Sequence, residues 1–185
     1  GRFTHTLAQH FSASVVGIDP SQKMLAQALG KDHDGSVRYL SGTGEAIPLP
    51  DASLDLVFLS MVFHHFADPG RVARECRRIT NASGKVFVRT ATTERISAYA
   101  YIAFFPEAVP VLQRRLPTCT FVRNVFEAAG FRLVEAGVVT QVIAPNHAAY
   151  ADKLALGGDS ILAALSASEF EQGLRALRTY AASHA

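Results

Sequence analysis

The sequence predicts an α/β fold with a mostly parallel sheet, a helical insertion and a helical C-terminal tail. Short β-branched runs (SVVGID, VRYLS, LDLVFLS, KVFVRT) recur through the first half of the chain. Between them lie loops or segments whose apolar residues repeat at helical spacing. Strands and helices alternating at these lengths join through right-handed crossovers into a parallel sheet. With 49% apolar and 18% charged residues, 185 residues suffice for one buried core.

The elements follow in order. Phe3, Leu7 and Phe11 recur every four residues and mark one face of a helix over residues 2–11. Residues 14–19 form a β-branched run ending in Asp19, as expected of a buried parallel strand. Pro20 and Ser21 open a helix with Met24, Leu25 and Leu29 on its apolar face, and Gly30 stops it. A second strand is predicted over 37–41, then a loop rich in Gly and Pro over 42–51, then a nearly all-apolar third strand over 54–60. Asp68 can cap a helix that has Pro69 at its first position and Val72, Cys76 and Ile79 along one side. A turn over 81–84 should deliver a fourth strand over 85–90.

Beyond Thr90 the pattern changes to a helix-like, aromatic-rich insertion over 91–117. Phe121, Val125 and Ala129 form a helix face closed by Gly130, and residues 131–143 read as a long strand. The tail is helical: Tyr150 with Leu154, then residues 161–165, then a helix opened by a capping box of Ser168 and Glu171 with Phe170, Leu174 and Leu177 as its stripe. The expected organisation is a single domain, with 1–90 as its ligand-binding part, 91–120 as a helical insertion or lid, and 121–185 as the remaining strand and tail.

Composition excludes several classes. A net charge of +2 and a pI near 8.7 are too mild for a nucleic-acid partner, and Arg71, Arg74, Arg77 and Arg78 read as a solvated helix face. No apolar run approaches a membrane span, so no membrane partner is expected. The N-terminus lacks the pattern of a signal peptide. Cys76 and Cys119 have no metal-like spacing and read as buried or semi-buried free thiols in a reducing cytoplasm. No metal is expected.

Ligands of an open parallel sheet bind at the carboxyl ends of its strands, which here are Asp19 and Pro20, Gly42 to Glu45, Ser60 to His65, and Arg89 to Thr93. An acid in the position of Asp19 can accept hydrogen bonds from both hydroxyls of a ribose. It can equally cap the following helix.

The strings VVGIDPSQKMLAQA, SGTGEAIPLPDASLDLVFLSMVFHHFADPGRVARECRRI and SGKVFVRT together resemble the class I S-adenosylmethionine-dependent methyltransferases of the type 11-like family. The likeness runs over residues 1–90 and extends to 121–143. It implies a Rossmann-like sheet, S-adenosylmethionine as cofactor and a small-molecule acceptor. By this resemblance Asp19 holds the ribose, Pro20 and Met24 pack on the adenine, and Thr43, Gly44 and Glu45 face its edge. Many relatives have an acid in place of Thr43, so the contact there is weaker or made otherwise. Ser60 and Met61 border the methionine part of the cofactor, Met61 being equally a core residue. His64 and His65 are candidate general bases, or elements that pack and position the loop. Tyr99, Tyr101, Phe104 and Phe105 offer an aromatic wall for a substrate, or serve as core of the added helices. Arg89 can pair with a substrate carboxylate or face solvent.

The family fold opens with a central strand and a glycine-rich turn, of which Gly1 corresponds to the last glycine. The first, central strand is thus expected to be absent from this sequence, leaving the strands that end at Asp19 and Ser60 with unpaired edges. The sequence can be part of a longer product, a partner can supply the strand by exchange in a homodimer, or the fragment can fold differently. The alternative to catalysis is a binding module of the same fold that does not hold the cofactor.

Overall fold

The computed structural model describes residues 3–32 and 35–184. Gly1, which by the resemblance belongs to the turn that approaches the methionine end of the cofactor, lies outside them. The chain divides into two compact units, one comprising Gly1–Val88 and Val125–Phe131, the other Arg89–Asn124 and Arg132–Ala185.

The first unit is α/β. Helix α1 (Thr4–Phe11) is followed by strand β1 (Val15–Asp19), helix α2 (Gln22–Leu29), strands β2 (Val37–Ser41) and β3 (Leu54–Ser60), helix α3 (Pro69–Ile79) and strand β4 (Thr80–Arg89). The predicted start signals hold. Ser21 caps α2 by accepting from the Met24 N–H, and Asp68 caps α3 by accepting from the Arg71 N–H with Pro69 at the first position. β1 and β2 are parallel, pairing Val15 with Val37 through Asp19 with Ser41. β3 and β4 form a second two-stranded sheet, and no ladder joins it to the first among the described residues.

The alternation of strands and helices is that of a Rossmann-like unit. Val57 alone is buried on β3, Leu56 is exposed, and Val15, Val16 and Ile18 of β1 are half-buried. Helix α3 supplies the inner face of the unit through Val72, Ala73, Cys76 and Ile79. The predicted turn over 81–84 is instead continuous strand. Residues just before β3 hold the end of α3, with the Ala52 and Ser53 N–H groups donating to the Arg78 and Ile79 carbonyls, and the Asn81 amide donates to the Asp55 carboxylate.

The second unit is helical: α4 (Ala108–Arg115), the first part of α5 (Cys119–Ala128), α6 (His147–Ala155) and α7 (Ala167–Ser183), with 3₁₀ segments at Thr93–Ala98 and Leu162–Ala164. Its core joins Tyr101, Phe105, Leu112, Tyr150, Leu154 and Leu177. Helix α5 ends at a left-handed Gly130 (φ +90°), as the stop signal required, but its buried residue is Phe126, while Phe121 is exposed. Phe126 lies 6.4 Å from Phe63 and 5.9 Å from Phe131, both in the first unit.

Two further expectations are corrected. Residues 131–143 form no strand: among the described residues they have no ladder partner, and Val134, Val138, Val139 and Val142 are exposed. β-branched content marks a segment able to pair, but a strand exists only beside another edge. The capping box of α7 is Ser166 with Glu169, not Ser168 with Glu171. Glu169 Oε2 accepts from the Ser166 N–H at 2.7 Å and its own N–H donates to Ser166 Oγ at 3.3 Å. The two serine-glutamate pairs have the same spacing, and the one that follows the extended Leu165 wins. No helix among the described residues is long and apolar enough to cross a membrane.

Replacing Ser166 with Ala should lower the unfolding free energy by about 1 kcal/mol, whereas Ser168→Ala should change it by less than ~0.5 kcal/mol. Urea denaturation of the two variants checks this, and equal effects would contradict the cap assignment.

Candidate functional site

The predicted site residues of the first unit sit at the ends of its strands. Asp19 closes β1, and its Oδ1 accepts from the Ser21 N–H at 2.8 Å, which fixes the side chain at the entrance to α2. Its Oδ2 has no hydrogen bond among the described residues. Pro20 and Met24 follow it and are exposed, Met24 at 49%. On the neighbouring strand, Gly42 donates its N–H to the Asp19 carbonyl at 3.4 Å, so the start of the Gly-Pro loop abuts the tip of β1.

That loop is tightly specified. Thr43 and Ala46 form an isolated bridge. A Cβ on Gly44 would come within 2.9 Å of the Phe66 ring and 3.1 Å of Val72, so only glycine fits the approach to α3. Glu45 Oε1 accepts from the Ala67 N–H at 3.0 Å. Thr43 is exposed and Glu45 half-buried.

At the end of β3, Ser60 is half-buried and Met61 has φ +55°, a left-handed conformation that a non-glycine residue adopts at a cost. The chain then turns through a 3₁₀ segment, Phe63–His65, whose Phe63 is buried. His64 is half-buried, His65 is exposed, and their ring centroids lie 4.0 Å apart. Among the described residues no group of three or more His, Cys, Asp or Glu could hold a metal ion.

The remaining predicted residues belong to the second unit. Tyr101 and Phe105 are interior, at 1% and 0% exposure, and Tyr99 and Phe104 are half-buried. The rings of Tyr99 and Tyr101 are 5.2 Å apart, and Phe104 lies 5.4 Å from Tyr180. Burial raises the phenols of Tyr99, Tyr101 and Tyr150, the last to about 12. Arg89 donates from Nη2 to Gln141 Oε1 at 2.6 Å.

Comparison with known proteins finds a likeness to methyltransferases. Residues 1–88 match the family described as Methyltransferase domain. Residues 1–88 thus resemble a methyltransferase domain. It is 30% identical over 99 residues to a demethylmenaquinone methyltransferase of Thermotoga maritima, covering 52% of this chain and 42% of that protein. Over 76 residues it is 46% identical to a Mycobacterium tuberculosis protein named as an S-adenosylmethionine-dependent methyltransferase, covering 41% of this chain and 27% of that protein. The chain thus spans less than half the length of these curated relatives. A protein of Anabaena variabilis assigned to the methyltransferases of an antibiotic biosynthesis pathway shares the fold with a TM-score of 0.76 at 20% identity, over 95% of this chain and 73% of that one. The [4+2]-cyclase SpnF shares it at 0.67 and 17%, over 96% and 64%.

Within the matched residues, sequence reasoning missed how the loop over 42–51 is held. Arg78, read as part of a solvated face, is only 32% exposed at its side chain and forks onto Glu75, with Nε to Oε1 and Nη2 to Oε2 both at 2.8 Å. Glu75 Oε2 also accepts from the Ile47 N–H at 2.8 Å. A Glu three residues before an Arg on a helix is a visible signal, but it reads as an ordinary surface pair until the loop is placed. The cysteines also divide: Cys76 is buried and its thiol is pushed up to about 12, whereas Cys119, expected to be at least semi-buried, is exposed because it stands at the first position of α5.

The Arg78 hydrogen bonds hold the Glu75 carboxyl down to about 2 from an ordinary 4.5, against the opposing effect of burial. A depressed carboxyl stabilises the fold fully above its unfolded value, and that contribution disappears as pH falls from about 4.5 towards 2. Glu75→Gln should therefore show a shallower loss of stability across that window than the parent protein. Urea titrations at stepped pH measure the difference, and parallel acid limbs would exclude the assignment.

Proposed function

We propose that this chain binds S-adenosylmethionine at the carboxyl ends of β1 to β3 and serves methyl transfer to a small-molecule acceptor. The observation that carries the reading is Asp19: a carboxylate at a strand tip, fixed through one oxygen by the Ser21 N–H, with the other oxygen available to a ribose hydroxyl. The surrounding residues fit a nucleoside. Pro20 and Met24 present exposed apolar surface beside the carboxylate, suited to an adenine face, and Thr43 and Glu45 supply polar groups where β2 gives way to its loop. Gly44 lets that loop lie close to α3. Ser60 and Met61 offer backbone groups in the left-handed turn after β3 for the amino-acid end of the ligand.

When bound, the cofactor supplies a methyl group on a sulfonium, which is already a good leaving group. The main demand on the protein is therefore to hold the acceptor in line, and acid-base assistance is secondary. His65, exposed after β3, is the candidate base for an acceptor proton, with the half-buried His64 ring tilted beside it. In the helical unit, Tyr99 and Phe104 are the candidate substrate-facing aromatics, with buried Tyr101 and Phe105 supporting them and Arg89 as a candidate for a substrate carboxylate. Two relatives named demethylmenaquinone methyltransferase support a small-molecule acceptor.

Calorimetry with S-adenosylhomocysteine on the full chain tests the reading. Asp19→Ala should weaken binding about 10- to 100-fold, the range for lost hydrogen bonds to a charged group. His65→Ala should leave that affinity near the parent value and lower kcat about 100-fold if an acceptor proton must be removed. Absence of binding by the parent protein would refute the proposal.

A further inference from the structure

The loop over residues 42–51 carries Thr43, Gly44 and Glu45, yet it has no ladder of its own beyond one isolated bridge. Its second half, residues 47–51, contains Pro48 and Pro50, which cannot donate, and its one internal backbone bond among the described residues runs from the Leu49 N–H to the Ile47 carbonyl at 2.8 Å. Helix α3 supplies further donors through a single guanidinium. Arg78 Nη2 donates to the Ile47 carbonyl at 2.9 Å, and Nη1 donates to the Leu49 carbonyl at 2.7 Å and to Asp51 Oδ1 at 2.8 Å. The same guanidinium is held by both oxygens of Glu75, and Glu75 in turn takes the Ile47 N–H. Both backbone groups of Ile47 therefore end on this pair.

The pinned half of the loop sets the other half. Pro48 lies over Gly42 so closely that a Cβ there would come within 2.7 Å of its Cδ, and Gly42 is the residue whose N–H meets the Asp19 carbonyl. A contiguous set of contacts thus runs from α3 through the proline segment to the tip of β1. We infer that Glu75 and Arg78 are a positioning pair for cofactor binding, fixing the loop over 42–51 against Asp19 without touching the ligand. The inference rests on the nucleoside site proposed above and identifies what orders it.

Lysine cannot replace the arginine, because one ammonium lacks the planar fork that reaches five acceptors. In the full chain, Arg78→Lys and Glu75→Gln should each raise the dissociation constant for S-adenosylhomocysteine about tenfold. They should raise KM for S-adenosylmethionine to a similar extent, with kcat changing less than about twofold, the pattern of lost uniform binding. Amide hydrogen exchange in the ligand-free protein should quicken at Gly42 to Leu49 and stay unchanged in α2. Arg78→Met, with circular dichroism to confirm folding, should show the larger effect. If the parent protein and these variants bind equally while only their melting temperatures fall, the pair is structural and the inference is wrong. If the parent protein does not bind at all, the proposed site fails first, which Asp19→Ala reports separately.

Discussion

A segment with two prolines and no ladder can satisfy few of its own carbonyls, and in the first unit a guanidinium from α3 reaches those of Ile47 and Leu49. Arg78 brings five donors to one place, and Glu75 keeps them there. Because α3 also buries Val72, Ala73, Cys76 and Ile79, the guanidinium projects from the best-packed helix of the unit. The rigidity of the interior is thereby conveyed to a surface loop that has little of its own. Functional groups are commonly carried on loops that a rigid scaffold positions, and here a named pair does the positioning.

Much of this arrangement was legible in the sequence, because it is written in local signals. Ser21, Asp68 with Pro69, and Gly130 each act within a few residues, and each marks the boundary it predicted. β2 and β3 have the predicted limits because each is a short apolar run flanked by loop residues. Failures occurred where a partner distant in sequence decides the outcome. Residues 131–143 have strand chemistry but no adjacent edge among the described residues, and residues 80–84 extend β4, where the Asn81 amide donates to the Asp55 carboxylate of β3. At Ser166 and Ser168 two equal local signals compete, and only the preceding chain direction separates them.

The candidate site divides in the same way. Asp19, Gly44 and the two histidines could be placed from strand ends alone, since topology fixes where a parallel sheet binds its ligand. Glu75 and Arg78 could not, because their partners are backbone N–H and carbonyl groups some thirty positions earlier, and a backbone group leaves no mark in a sequence. The aromatic residues after Thr90 illustrate a different ambiguity. Composition identified Tyr99, Tyr101, Phe104 and Phe105 as a group, but burial alone separates the interior pair from the half-buried pair. A shared fold with a cyclase as well as with methyltransferases shows that the scaffold does not choose the reaction, so the side chains at the site must.

The contrast between the two cysteines has a practical consequence. Cys76 is enclosed on α3 and resists ionisation, while Cys119 is exposed at the first position of α5 with its backbone N–H held by Glu94. An electrophilic dye at neutral pH would therefore attach to one sulfur and ignore the other. Of the two cysteines in these 185 residues, Cys119 is thus the one that would carry a fluorescent reporter.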